Sequence, residues 1–316
     1  MEPKNPVNSQ KLKAGGVKKT PPADSLSLVD QVAQAVNKAL EKTSRDVRLS
    51  VLGDPGAYPE IHFRFPLGVP GLEAAMGTGG FPLCKLIELF GPESSGKSTL
   101  SKFIAAQAQK SGVIPIVVDA EQSGDMEYDR LYGFDPKRAL GGQVDYLEDA
   151  FLLLASGVKI LKSMKLPGLA ILDSVAAAPL KAEAERAFDE KGRMAERAAF
   201  LSKAVPRLVS LVRDSKIGIL FVNQIRDNPG ALPFQAKTYS PGGHALRHFC
   251  HMRLEIKRIG QVTKGERVIG IKSSIKVVKN KLAPPYRKCE VEINFTTGQI
   301  TDLKGLKQPV PKDDEE

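Results

Sequence analysis

No tryptophan occurs among the 316 residues, and aromatic side chains make up only 6% of the chain. That scarcity argues against a recognition surface built from stacked aromatic platforms. Three cysteines, Cys84, Cys250 and Cys289, are too few and too scattered for a disulfide framework or a cysteine-rich zinc site, and they suit a reducing compartment. No apolar run approaches the ~20 residues needed to cross a bilayer. The N-terminus has no apolar stretch of the kind that forms a secretory signal. A cytoplasmic protein with no membrane partner is the expectation.

What the chain has in excess is positive charge. Lysine and arginine number 46 against 36 aspartates and glutamates, a net charge of +10. Such an excess favours polyanions, nucleic acid above all, although a solvated basic surface accounts for it equally well. Hydrophobic residues, at 42%, suffice for a real core.

Composition divides the chain. Residues 1–23, rich in Lys, Pro, Gly and Asn, lack the apolar side chains that offset ordering entropy and read as a disordered basic arm. Residues 24–60 hold a helix and a Gly/Pro-rich linker. Asp24 or Ser25 can cap the helix, and Leu28, Val32, Val36 and Leu40 form an apolar stripe at helical spacing that needs a surface to cover. From 61 to 303, short apolar runs alternate with helical periods, the signature of an α/β domain with a mostly parallel central sheet. Strands are expected at Ile114–Val118, Leu169–Leu172, Ile217–Val222, Met252–Arg258, Ser274–Lys279 and Glu290–Asn294. Helices are expected at Ser98–Ser111, Tyr146–Met164, Ala195–Asp214 and Gly243–Cys250. The last strands have little helix between them, so that edge should be antiparallel. Residues 304–316 read as a disordered acidic tail.

The most specific local signal is Gly91-Pro92-Glu93-Ser94-Ser95-Gly96-Lys97-Ser98-Thr99. It fits G-x-x-x-x-G-K-[ST], a loop whose backbone N–H groups cradle phosphates. The glycines allow the tight turn, Lys97 brings a charge to the β and γ phosphates, and Ser98 offers a hydroxyl to Mg²⁺. An apolar strand before it and a helix after it supply the required context, because a helix N-terminus stabilises phosphate. A second apolar run, Leu169–Leu172, ends in Asp173, placed to hold the same Mg²⁺ from a strand end. A third, Ile116–Val118, leads into Asp119 and Glu121. Glu121 can orient an attacking water, while Asp119 is left to hydrogen-bond in the turn.

These segments, together with Val222-Asn223-Gln224-Ile225-Arg226, Gly242-Gly243-His244-Ala245-Leu246 and Lys276-Val277-Val278-Lys279-Asn280-Lys281, occur in the order found in bacterial RecA recombinases. The chain resembles that family from about Leu67 to Ile300. The resemblance implies a RecA-like P-loop ATPase core, ATP and Mg²⁺ as cofactors, and an N-terminal helix that packs on the adjacent protomer. Glu121 matches the catalytic glutamate, and Gln224 the γ-phosphate sensor. Asp125 and Tyr128 match the residues that hydrogen-bond and stack on adenine. Lys279 and Lys281 match lysines that reach the nucleotide of a neighbouring subunit. DNA contact is implied for two loops. The first, near Ala184–Arg197, includes Arg193, Met194 and Arg197. The second, between Arg226 and Gly243, includes Arg226, Leu232, Phe234, Gly242 and Gly243. The implied activity is DNA-dependent ATP hydrolysis by a filament on single-stranded DNA that pairs with duplex and exchanges strands.

The chain also departs from that family. Pro229 stands where an aliphatic wedge is expected, with Leu232 as its substitute, and Pro233 and Pro241 are further additions. Ala199 and Pro206 replace basic residues, and His248 replaces an interface aromatic. The resemblance stops soon after Ile300, which suggests a shortened form without the family's C-terminal domain, as in a phage or mobile element. Two other functions therefore stay open: a RecA-like DNA-binding regulator that does not exchange strands, and a hexameric helicase-type motor. His244, His248 and His251, at i, i+4 and i+7, could bind a metal if all three lie on one helix.

Overall fold

The structure, a computed structural model, describes residues 28–41, 50, 63–122, 124–185, 193–227, 238–239 and 244–303. Helix α1 (Leu28–Leu40) carries Asp30 in its first turn and Lys38 in its last, charges that suit the helix dipole. It belongs to a separate unit from the elements that follow. Its expected caps, Asp24 and Ser25, lie outside the described residues.

In the second unit, β1 (Arg64–Phe65) and β2 (Phe81–Pro82) pair antiparallel on either side of α2 (Pro70–Met76). An alternating series follows: β3 (Leu86–Gly91), α3 (Lys97–Lys110), β4 (Ile114–Asp119), α4 (Met126–Leu131), β5 (Leu140–Gln143), α5 (Leu147–Ser163) and β6 (Gly168–Asp173). Next come α6 (Lys181–Ala184), α7 (Arg193–Val212) and β7 (Ile217–Gln224). A short antiparallel pair, β8 (Arg226–Asp227) and β9 (Thr238–Tyr239), precedes α8 (Ala245–Phe249). The series closes with β10 (Met252–Lys264), β11 (Arg267–Asn280), β12 (Lys288–Asn294) and β13 (Ile300–Asp302).

One nine-stranded sheet has the order β5-β4-β6-β7-β3-β10-β11-β12-β13. Neighbours from β5 to β10 are parallel, and those from β10 to β13 are antiparallel, as the sequence pattern predicts. Every residue of β3 and β6 is buried, because helices cover both faces of a parallel sheet. On one face Leu100, Phe103 and Ile104 of α3 belong to a core with Leu89, Val117 and Ile171. On the other, Phe151 and Leu154 of α5 and Leu201 and Val205 of α7 share a core with Leu172 and Phe221.

Two strands run beyond their expected ends. Met252–Arg258 continues to Lys264, and Ser274–Lys279 begins at Arg267. The added hairpin is largely solvent-exposed, so it shows no apolar alternation. Backbone pairing from Gly260↔Lys272 to Lys264↔Arg267 and a turn with Gly265 at φ +62° hold it together. Strand β5, Leu-Gly-Gly-Gln at the sheet edge, also lacks a readable pattern.

Candidate active site

Strands β3, β4, β6 and β7 end side by side at the carboxyl edge of the parallel sheet. Gly91 is level with Gln224, and Asp119 with Asp173. A crevice outside this edge is where open α/β sheets bind ligands.

The loop after β3 is shaped by its glycines. A Cβ on Gly91 would lie 2.0 Å from the Ile256 carbonyl oxygen. Gly96 has φ +92°, and a Cβ there would meet Ile293 Cδ1 at 2.5 Å. Only glycine lets the backbone approach this closely in that conformation. The Ser95 hydroxyl donates to the Pro92 carbonyl at 2.7 Å, and the Ser273 hydroxyl of β11 donates to the Ser95 carbonyl at 3.0 Å. Gly96 is the N-cap of α3, so the free N–H groups of this helix end fall within the loop. Lys97 is nearly buried, and its Nζ donates to the Pro92 carbonyl at 2.6 Å. Burial lowers its pKa, against the opposing pull of Asp173, Glu121 and Glu93.

Asp173, at the end of β6, is buried, and its carboxyl is pushed up to about 6. Burial is the main cause; a hydrogen bond from Ser98 opposes it, and the nearby charge of Glu121 adds to it. Its Oδ1 has no hydrogen-bond partner among the described residues. A buried carboxylate oxygen left open beside the Ser98 hydroxyl suits a hard divalent cation. Ser98 and Asp173 would hold Mg²⁺, which when bound neutralises charge on phosphate oxygens.

Glu121 lies two residues past β4. Its Oε1 accepts from Ser174 Oγ at 2.7 Å and from Gln224 Nε2 at 2.9 Å. Asp119 takes the turn role expected of it, accepting from the N–H groups of Glu121, Gln122 and Gly124 at 3.1, 2.8 and 3.0 Å. Gln224 ends β7, and the next residue, Ile225, donates its N–H to the Gly91 carbonyl at 3.2 Å. The β8–β9 pair starts immediately afterwards, so the base of the second loop is attached to the phosphate loop.

Asp125 caps α4, accepting from the N–H groups of Glu127 and Tyr128. Tyr128 shares a 2.9 Å hydroxyl–hydroxyl hydrogen bond with Tyr132. Asp125 and Tyr128 line a cleft of about 150 Å³ with Ser98, Thr99 and Asp173. The lining residues do not include Lys279 or Lys281. Instead, Lys279 Nζ donates to the carbonyls of Arg247 and His248 at 2.6 and 2.8 Å, at the end of α8. Burial and the neighbouring Lys281 charge lower the Lys279 pKa.

Arg197, implied to contact DNA, makes its contacts here within the chain. Its guanidinium donates to the carbonyls of Ala176 and Ala178 at 3.1 and 2.6 Å and pairs with Glu183. It faces inward because this stretch of chain leaves carbonyls for it to satisfy. The side chains of Arg193, Met194 and Arg226, and residues Leu232, Phe234, Gly242 and Gly243, lie outside the described residues. The histidine row does not share a helix, because α8 ends at Phe249. His251 Nδ1 accepts the Leu86 N–H at 3.2 Å, and burial together with lysine charges lowers its pKa to about 4.

Several contributors carried no sequence signal of their own. Ser174 is legible only as a hydroxyl directly after a strand-end carboxylate. Buried Glu88 binds Asn223 Nδ2 at 3.0 Å and pairs with Arg253, tying β3 to β7 and β10. The Asn223 side chain in turn accepts the Gln224 N–H at 3.0 Å.

A phosphate loop, a strand-end carboxylate and a held glutamate on this sheet define a P-loop nucleotide-binding protein with a RecA-like core. The RecA N-terminal domain family matches residues 31–300. Protein RecA of Thermus aquaticus is 36% identical over 267 residues, covering 84% of this chain and 77% of that protein. Protein RecA of Geobacter metallireducens is 38% identical over 81% of this chain and 74% of its own length. Protein RecA of Rhizobium leguminosarum bv. trifolii is 36% identical over 90% and 80% respectively. The chain belongs to the RecA family.

Proposed function

We propose that this protein is a DNA-dependent ATPase that assembles as a helical filament on single-stranded DNA and promotes pairing and strand exchange with duplex. One observation carries the reading: Gln224 bonds Glu121 while the adjoining Ile225 bonds Gly91, so one strand end touches the candidate base, the phosphate loop and the start of the second loop. ATP occupies the cleft, with its phosphates on Gly91–Thr99, its metal on Ser98 and Asp173, and its base against Tyr128. Glu121 accepts a proton from the attacking water. Lys279 and Lys281 serve the nucleotide of the adjacent subunit, which makes hydrolysis depend on stacking of subunits. Contacts that repeat head to tail without closing generate a filament. The basic loops bind the phosphate backbone without reading sequence. The site of action is the cytoplasm; no helix among the described residues is long and apolar enough to cross a membrane.

Electron microscopy with single-stranded DNA and a slowly hydrolysed ATP analogue tests the assembly. Open helical filaments are expected. Closed six-membered rings would support the helicase-type motor and contradict the filament. Pro229, Pro233 and Pro241 favour a second reading, a regulator that assembles without exchanging strands; filaments inactive in strand exchange would establish that alternative.

A further inference from the structure

The cleft that would hold the nucleotide is acidic. Asp119, Asp125, Asp129 and Asp173 line it, against Lys102 as the single lining cation among the described residues. ATP is a polyanion, so each carboxylate must be offset before the cleft can accept it. Backbone N–H groups surround two of them: three donate to Asp119 and two to Asp125. Asp173 is the candidate metal ligand. Among the described residues no backbone N–H donates to the Asp129 carboxylate. It is nearly buried, one position after Tyr128, and its Oδ2 is paired with Lys102 Nζ. The two side chains are 11% and 12% exposed, so water screens the pair poorly.

Lys102 is held for this task. It projects from α3, five residues beyond Lys97, and its ammonium also lies 5.6 Å from the Phe134 ring centroid. The pair joins α3, which starts at the phosphate loop, to α4, which carries Tyr128. Removing either partner has opposite electrostatic consequences. Without Lys102, a buried carboxylate faces the incoming polyanion. Without the Asp129 charge, an unpaired ammonium faces it.

We propose that Lys102 sets nucleotide affinity by neutralising Asp129 at the wall of the cleft, and that it is a specificity-determining residue for polyanionic ligands rather than a catalytic one. The inference rests on the nucleotide-site reading. The test is equilibrium titration of the full chain with a fluorescent N-methylanthraniloyl ATP and Mg²⁺, without DNA. Lys102→Met should weaken binding about tenfold, the scale of one unit charge acting on another across roughly 12 Å at an effective dielectric of about 20. Asp129→Asn should bind as tightly as the unsubstituted chain or more tightly. The double variant should return to within about threefold of it, since removing both charges restores neutrality. Thermal unfolding without nucleotide checks that each variant folds. If Lys102→Met does not fold, Lys102→Gln, which keeps polar volume, should show the same loss. Unchanged binding by the Lys102 variant, or equal weakening by Asp129→Asn, overturns the inference alone. So does a double variant as weak as the Lys102 single variant. Failure of the unsubstituted chain to bind the probe overturns the nucleotide-site reading as well.

Discussion

Gln224 Nε2 donates a 2.9 Å hydrogen bond to Glu121 Oε1 across 103 positions of sequence. Gln224 ends β7 and Glu121 lies just past β4, parallel strands that end at the same sheet edge, and Ser174 Oγ donates to the same carboxylate oxygen at 2.7 Å. Glu121 is therefore oriented by a residue of the third strand end and by the residue that leads into the second loop.

Glu121→Gln keeps the size of the side chain and removes the proposed base. ATP turnover should fall by roughly 10²–10⁴-fold, the usual range for a general base, while ATP binding stays within about threefold. Steady-state hydrolysis alongside equilibrium titration measures both. Unchanged turnover would remove Glu121 from the mechanism.

Asp173 gives the nucleotide-free protein a characteristic pH dependence. Its carboxyl titrates near 6 in the fold, against 3.8 as the ordinary value. The folded state thus holds the proton more tightly, and the associated stability is fully present below about pH 4 and is lost as pH rises through about 6. The difference amounts to at most about 3 kcal/mol. Chemical denaturation from pH 4 to 7 should show the unsubstituted chain losing stability relative to Asp173→Asn. Parallel curves for the two proteins would contradict this. Mg²⁺ binding needs the ionised form and should weaken below about pH 6.

Gly96→Ala places a methyl 2.5 Å from Ile293 Cδ1 at φ +92°. A destabilisation of about 2 kcal/mol or more is expected from overpacking combined with backbone strain, with loss of nucleotide binding. Denaturant midpoints and the same titration report it. A variant as stable as the parent would show that the loop does not need the conformation seen here.

Arg197→Ala leaves the Ala176 and Ala178 carbonyls without their donor and removes the cation paired with Glu183, which keeps the Leu180 N–H. A loss of about 3 kcal/mol in stability is expected, with little change in the salt dependence of DNA binding. A large drop in the salt slope, without loss of stability, would restore the DNA-contact role that the family resemblance implies.

Apart from the edge strand β5, the parallel half of the fold was legible because buried strands read as unbroken apolar runs, and acids or glycines mark their ends: Gly91, Asp119, Asp173. The hairpin from Gly260 to Gly270 was not, because backbone pairing holds it and its side chains face water. At the site, the phosphate loop and Asp173 follow from local spacing. The bond between Glu121 and Gln224 does not, since it depends on which strands become neighbours. The inward turn of Arg197 was equally hidden: an arginine beside a basic loop reads as a surface cation until its carbonyl partners are known. Lys102 and Asp129 are ordinary helical charges in the sequence, and only the fold places both at the cleft wall.

ATP hydrolysis with and without single-stranded DNA, at low and moderate salt, tests the central claim most directly. The account predicts strong stimulation by DNA that declines as salt rises, because backbone binding assembles the subunits that complete each site. Hydrolysis indifferent to DNA at every salt concentration would contradict it.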